Sequence, residues 1–238
     1  MLLAYCLITL AAITAATLLL ARKLHRLRRQ LRRHTQQLWQ THNIFQLFDG
    51  AAPLPLPGGW AASTDLLDEL LRVVATREPR LIVELGSGLS TLVLAAALRR
   101  RGAGRLLAVE AEEAYAERTR TLLRAQGLSA WATVRTVPLI DLDFEGQSRP
   151  WYDTALLADL AAIDLLFIDG PPTERRTDIR YPALPFFWPR LNAGAVVLLD
   201  DADRPAEQSI ARQWQRAFPA ARFEPLRFEK GALRITRP

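Results

Sequence analysis

From Leu81 to Asp200 the sequence alternates short apolar runs with stretches of helical periodicity, and this alternation leaves the chain very few folds. The apolar runs are Leu81–Leu85, Arg105–Glu110, Ala132–Val137, Asp164–Asp169 and Ala195–Asp200. Helical patterns fall between them, at Ser90–Arg100, Ala111–Ala125, Thr154–Ala161 and Tyr181–Leu191. Two more helical patterns flank the alternation, one beginning at Ser63 and one over Arg204–Ala217. Strands that alternate with helices build a parallel sheet with helices on both faces. The closing stretches ARFEPLRF, EKG and ALRITR predict a hairpin, which adds an antiparallel strand at or near one edge. The expected class is α/β, a doubly wound and mostly parallel sheet with a C-terminal antiparallel hairpin.

In such a sheet, ligands bind beyond the carboxyl ends of the strands. Here those ends carry Glu84, Glu110, Asp169 and the pair Asp200-Asp201. After the first strand the chain turns through Gly86-Ser87-Gly88. A dinucleotide fingerprint would need a third glycine at Thr91, and a phosphate-binding P-loop would need Gly-Lys-Ser/Thr; both are absent. Glu84, two residues before the first glycine, would repel a pyrophosphate. It suits a ligand bearing an ammonium and a sulfonium.

The excess charge lies elsewhere. Net charge is +6, yet residues 1–48 hold no acid and seven cations: Arg22, Lys23, Arg26, Arg28, Arg29, Arg32 and Arg33. The remaining chain has 24 Lys and Arg against 25 Asp and Glu, so no basic face and no nucleic-acid partner are expected. Residues 1–21 contain no charged side chain and, as a helix, reach about 31 Å, a bilayer core. The cations follow the apolar run, the reverse of a secretory signal peptide. The reading is an uncleaved transmembrane anchor over 1–21, a buried core helix or a cleaved signal being the alternatives. The positive-inside rule then gives a single-pass cell-membrane protein, its N-terminus outside and its main domain cytoplasmic. Residues 22–48 read as a basic juxtamembrane helix, either near anionic headgroups or a solvated stalk that only sets orientation, 49–62 as a Pro/Gly-rich linker, and 63–238 as the main domain.

Cys6 is the single cysteine, and His25, His34 and His42 all precede the domain. That excludes a disulfide framework, cysteine zinc sites, Ser-His-Asp and Cys-His hydrolases, and His-ligated metals in the domain. Its one lysine is Lys230, with no tyrosine four residues before it, which disfavours a short-chain nicotinamide oxidoreductase.

Acid-x-Gly-x-Gly after the first strand, with Glu110 ending the second strand 22 residues past Gly88, resembles the class I S-adenosylmethionine-dependent methyltransferases and their Rossmann-like fold. ELGSGLST, Trp151-Tyr152, DLLFIDGPP, RYPAL and GAVVLLDDADR extend the resemblance, over about residues 60–214, to a bacterial group of small methyltransferases. That group is loosely related to the catechol-type O-methyltransferases. The resemblance implies that Glu84, Gly86, Ser87, Gly88, Thr91 and Asp169 line the cofactor S-adenosylmethionine. It implies that Glu110 binds the ribose, with adenine near Val137–Leu139. In catechol-type enzymes the strand-end acids hold magnesium, so Asp169, Asp200 and Asp201 are candidates both for catalysis and for a Mg²⁺ or Mn²⁺ site. The Asn of the usual Asp-Asn pair is Asp201 here, and the usual lysine base has no counterpart.

Three roles for the acids stay open: metal ligation, metal-free proton transfer by Asp169 with Asp201 paired to Arg204 or Arg180, or closure of a loop. Arg180, Tyr181 and Arg204 are candidate substrate contacts, and Arg175 and Arg176 could greet an acidic acceptor. Trp60 either covers the cofactor or anchors the linker. The expected function is membrane-anchored O-methylation of a small or lipid-linked acceptor; the alternative is a membrane-tethered module that binds the cofactor without turnover.

Overall fold

The computed structural model describes residues 1–48, 53–55, 57, 61–144, 146–172 and 176–238, with backbone alone at positions 3, 4, 6–8, 11, 12 and 33. Trp60, Arg175 and much of the expected linker therefore lie outside the described residues. The chain divides into two compact units, Met1–Asn43 and Ile44–Pro238.

The first unit is helical. Helix α1 runs from Leu2 to Phe45 without interruption. No Gly or Pro breaks this stretch, and hydroxyls of Thr9, Thr14 and Thr17 donate to carbonyls four residues back. The apolar run and the basic block, expected as separate segments, are therefore one helix. Among the described residues no helix is long and apolar enough to cross a membrane, so the transmembrane element expected at 1–21 is not found.

The second unit begins with α2 (Thr64–Arg77) and alternates through β1 (Leu81–Leu85), α3 (Leu89–Arg101), β2 (Arg105–Glu110), α4 (Glu113–Ala125) and β3 (Ala132–Thr136). A hairpin follows, β4 (Leu139–Phe144) and β5 (Gln147–Tyr152), then a 3-10 turn over Thr154–Leu157. The chain continues through β6 (Ile163–Ile168), α5 (Ala183–Phe187), β7 (Leu191–Asp200), α6 (Pro205–Ala217), β8 (Arg222–Leu226) and β9 (Ala232–Thr236). Seven strands form one sheet in the order β3-β2-β1-β6-β7-β9-β8. The first five of that order are parallel, while β9 runs antiparallel to β7 and β8 antiparallel to β9. The terminal hairpin thus supplies two strands at one edge.

Alternate strand residues face opposite ways, and both faces are dry. Ile82, Leu106, Leu165, Phe167 and Leu198 pack with α2, α3 and α4. Val83, Val109, Leu166, Ile168 and Val197 pack with Tyr152, Phe187, Ile210 and Trp214. Burying each large side chain contributes about 1.5–3 kcal/mol, so the sheet centre is the most stable part. Helix α3 is buried from Leu89 to Leu98, which explains its weak amphipathic pattern.

Two helices expected from the sequence are curtailed. Residues 154–161 give only the 3-10 turn, and 181–191 give α5 plus the 3-10 turn Trp188–Arg190. In the second case Pro182, Pro185 and Pro189 remove three backbone donors within eight residues. The β4–β5 hairpin was not among the expected elements.

Candidate active site

Register brings the acids of four strands to one end of the sheet. Glu84 lies opposite Ala108 and Phe167, so it sits at the centre, fully buried. Its Oε2 accepts from the Thr91 hydroxyl (2.7 Å), whose oxygen accepts in turn from the Gly88 N–H (2.9 Å). Its Oε1 is buried with no hydrogen-bond partner. Burial pushes the Glu84 carboxyl up to about 7, because a charged carboxylate without water is costly.

The turn around Gly86 leaves no room for side chains. Gly86 has φ +95°, and a Cβ on Gly170 would stand 2.9 Å from the Gly86 nitrogen and 2.8 Å from the Tyr152 hydroxyl. The loops after β1 and β6 are thus pressed together. Gly88, by contrast, faces open space. At the end of β2, Glu110 is half-buried and takes four donors: the Ser87 N–H and hydroxyl at 3.1 Å, Ala111 N–H at 2.8 Å and Glu112 N–H at 3.2 Å. The Ser87 hydroxyl has a second partner in Thr119, at 3.2 Å.

Beyond β6 and β7 the carboxylates cluster. Asp169, Asp200 and Asp201 each bring an oxygen within 4.8 Å of the others. Burial, then the neighbouring Asp200 charge, drives the Asp169 carboxyl well above its ordinary range. Burial, then Asp201, pushes Asp200 up to about 6. Asp201 holds a left-handed φ of +58°, an uncommon conformation with a side chain. Its N–H donates to Asp200 Oδ1 (2.6 Å). Asp200 Oδ2 and Asp201 Oδ1 are buried without hydrogen-bond partners.

Arg180 enters this cluster from below. It is 2% exposed. Its Nε donates to Pro171 O (3.1 Å), Nη2 to Asp169 O (2.9 Å) and Nη1 to Asp200 O (3.4 Å). The same guanidinium lies 3.7 Å from Asp169 Oδ1, 3.6 Å from Asp201 Oδ2 and 3.3 Å from Glu207 Oε1. Glu207, on α6, is fully buried, and burial raises its carboxyl. The sequence reading had passed over this residue. An acid in the first turn of a helix looks like an ordinary partner of the helix dipole, so no local signal marked it.

Residues 83–202 match the model of a methyltransferase domain, half of the chain. The chain belongs to this methyltransferase family. It is an S-adenosylmethionine-dependent enzyme of class I. No curated protein matches it in sequence. Among solved structures, an SAH-bound methyltransferase from Podospora anserina is similar at TM-score 0.60 and 15% identity, over 75% of this chain and 80% of that one. An O-methyltransferase from Streptomyces achromogenes in complex with SAM follows at 0.55 and 20%, over 75% and 82%. An O-methyltransferase from Bacillus cereus in complex with SAH gives 0.56 and 22%, over 84% and 90%. At these identities the likeness speaks for the fold.

Within this methyltransferase, Glu84, Gly86, Ser87, Gly88, Glu110 and Asp169 stand at the carboxyl ends of β1, β2 and β6 or in the turns that follow, Thr91 lies in the first turn of α3, and Val137–Leu139, the expected adenine position, follow β3. The unpartnered Glu84 oxygen and the open space over Gly88 fit a cationic amino-acid moiety. Tyr181 is not available to a substrate, because it is buried under the guanidinium of Arg149, 4.6 Å from its ring centre. Arg180 likewise faces the acids rather than solvent. Arg204 is 44% exposed and pairs with Asp201 at 3.1 Å. Arg176 pairs with Asp178 at 2.5 Å and donates to Ser148 O at 2.8 Å, which ties the loop after β6 to the β4–β5 hairpin.

A divalent ion at the three aspartates would have to share them with a resident cation: Arg180 already faces Asp169 Oδ1 at 3.7 Å and Asp201 Oδ2 at 3.6 Å. At about 5 Å the repulsion is roughly 3 kcal/mol for an effective dielectric of 20, before the second charge of the ion is counted.

Proposed function

We propose that this methyltransferase moves a methyl group from S-adenosylmethionine to a hydroxyl of a small or lipid-linked acceptor, with Asp169 as general base. S-adenosylmethionine supplies a methyl on a sulfonium, which leaves with the C–S electron pair as a C–O bond forms. The chain's own residues bind, orient and take the proton. Glu84, through Oε1, is suited to the ammonium of the methionine moiety. Glu110 is suited to the ribose diol; a ribose hydroxyl competes there with the Ser87 hydroxyl, which keeps Thr119 as partner. The glycines of the β1 turn let backbone approach the ligand.

On the acceptor side, a carboxylate held above its ordinary range is a better proton acceptor at neutral pH. Asp169 has that property and sits where β1 and β6 meet. It takes the acceptor's hydroxyl proton while Arg180 holds its backbone carbonyl. O-methylation is favoured by the solved O-methyltransferases that share the fold.

The observation that carries this reading is the buried, unpartnered Glu84 oxygen together with the open space at Gly88. Calorimetric titration of the full-length chain with S-adenosylmethionine tests it, wild type against Glu84→Gln. Saturable binding that weakens in the variant supports the reading. Equal binding by both proteins sinks the assignment of Glu84.

For location, the proposal is that residues 1–21 hold the enzyme at the cell membrane, catalytic domain on the cytoplasmic side. Support comes from sequence alone: an uncharged stretch of membrane length followed by seven cations. Release of the full-length chain into the soluble fraction by alkaline carbonate would overturn it.

A further inference from the structure

We infer that Arg180 is the resident cation of this site, standing in place of the divalent metal that three clustered aspartates invite, so that the site works without Mg²⁺ or Mn²⁺. The inference deepens the O-methyltransferase reading and rests on it.

One buried guanidinium faces three carboxylates from three elements: Asp169 after β6, Asp201 after β7 and Glu207 on α6. Such sharing is what a metal ion does among acids. The difference lies in how the cation is held. Arg180 also donates to the carbonyls of Pro171, Asp169 and Asp200. Two of these carbonyls belong to the candidate metal ligands themselves. The guanidinium therefore cannot swing aside for an ion without loosening the backbone that presents the ligands. Lysine could not replace it, because a compact ammonium does not reach three carbonyls and three carboxylates in one plane. Glu207 completes the arrangement: a fully buried acid whose nearest cation among the described residues is Arg180. It gives the guanidinium a partner that no incoming ligand displaces.

Four oxygens of the cluster, Asp200 Oδ2, Asp201 Oδ1 and both of Glu207, have no hydrogen-bond partner. In this role Arg180 is a positioning residue: it holds Asp169 and Asp201 and sets the charge around them.

The experiment uses Mn²⁺ as the probe, followed by its paramagnetic resonance signal, on the full-length chain with S-adenosylmethionine binding measured on the same sample. Expected for the wild type is cofactor binding in the presence of chelator and no Mn²⁺ bound tighter than about 1 mM. In Arg180→Met, Mn²⁺ affinity should rise on the order of 100-fold and fall again when Asp200→Asn is added. A merely structural arginine would give no such gain. Wild-type chain that binds Mn²⁺ below about 100 µM, with loss in Asp200→Asn, overturns the inference. So does cofactor binding that appears only with metal. Should Arg180→Met fail to fold, the wild-type titration and its Asp200→Asn control still decide. Absence of cofactor binding in every condition refutes the methyltransferase reading of the cofactor site instead, so the two failures are distinct.

Discussion

The two halves of the site treat their charges in opposite ways. In the half formed by β1 and β2, neutral donors hold the acids: the Thr91 hydroxyl holds Glu84, whose other oxygen is bare, and Ser87, Ala111 and Glu112 hold Glu110. In the half formed by β6 and β7, a guanidinium stands among the acids: Arg180 faces Asp169, Asp201 and Glu207 before any ligand arrives. The contacts of the first half are thus uncharged, and the second carries a counter-ion of its own. Stability and binding should separate along that line.

The largest effect is expected from Arg180→Met. Removing one partner of a buried ionic cluster costs about 3–5 kcal/mol, because the remaining charges stay buried without compensation. Denaturant titration of the wild type and variant measures it. A loss below about 1 kcal/mol would mean that the acids re-protonate at little cost, and the contrast between halves would vanish.

Next in size is the pH dependence from Glu84. Its folded value is raised from 4.5 to about 7, so the folded state holds the proton more tightly than the unfolded one. The associated stability is fully present below pH 4.5 and is lost as pH rises through 7, about 3 kcal/mol in all. Melting temperature of the ligand-free chain should fall between pH 5 and 8, and less so in Glu84→Gln. Cofactor binding should move the other way and tighten as pH passes 7, since the ammonium needs the ionised carboxylate. A melting profile in Glu84→Gln that parallels the wild type would place the titration elsewhere.

Glu110→Ala follows, with cofactor affinity reduced by roughly 10- to 100-fold, the range of hydrogen bonds to a charged group. Calorimetry reads this directly. The same change frees four backbone and hydroxyl donors, so a modest drop in melting temperature should accompany it.

How legible each half was in the sequence follows the same contrast. Glu84, Gly86, Gly88 and Glu110 belong to one strand-turn-helix-strand unit, so spacing alone placed them together. The strand core was legible too: the short apolar runs Leu81–Leu85 and Ile163–Ile168 are buried almost throughout, as strands covered on both faces are. The other half depends on distant pairs. Nothing local links Arg180 with Glu207, or Tyr152 with Gly170. Tyr181 becomes core only through the fold, whereas Arg180 is legible in the sequence as a partner of Asp201 and the fold adds its reach to Asp169 and Glu207. The β4–β5 hairpin sits between these cases. The alternation in Leu139–Phe144, with Asp141 and Asp143 exposed on one face, is a strand signal, but the pairing strand QSRPWY contains a proline that argues against it.

The smallest effect should come from Arg204→Ala, and it tests the comparison most finely. Arg204 and Arg180 both approach Asp201 Oδ2, at 3.1 and 3.6 Å. By distance Arg204 is the better partner. By burial it is the weaker one, 44% exposed against 3% for the Arg180 side chain. Water and salt screen an exposed pair, so its loss should cost less than about 1 kcal/mol, several-fold less than Arg180→Met. The Arg204 contribution should also shrink at high salt, while that of Arg180 should barely change. Equal costs for the two variants, measured at low and high salt, would mean that proximity rather than burial governs the cluster, and that Asp201 relies on its rim partner.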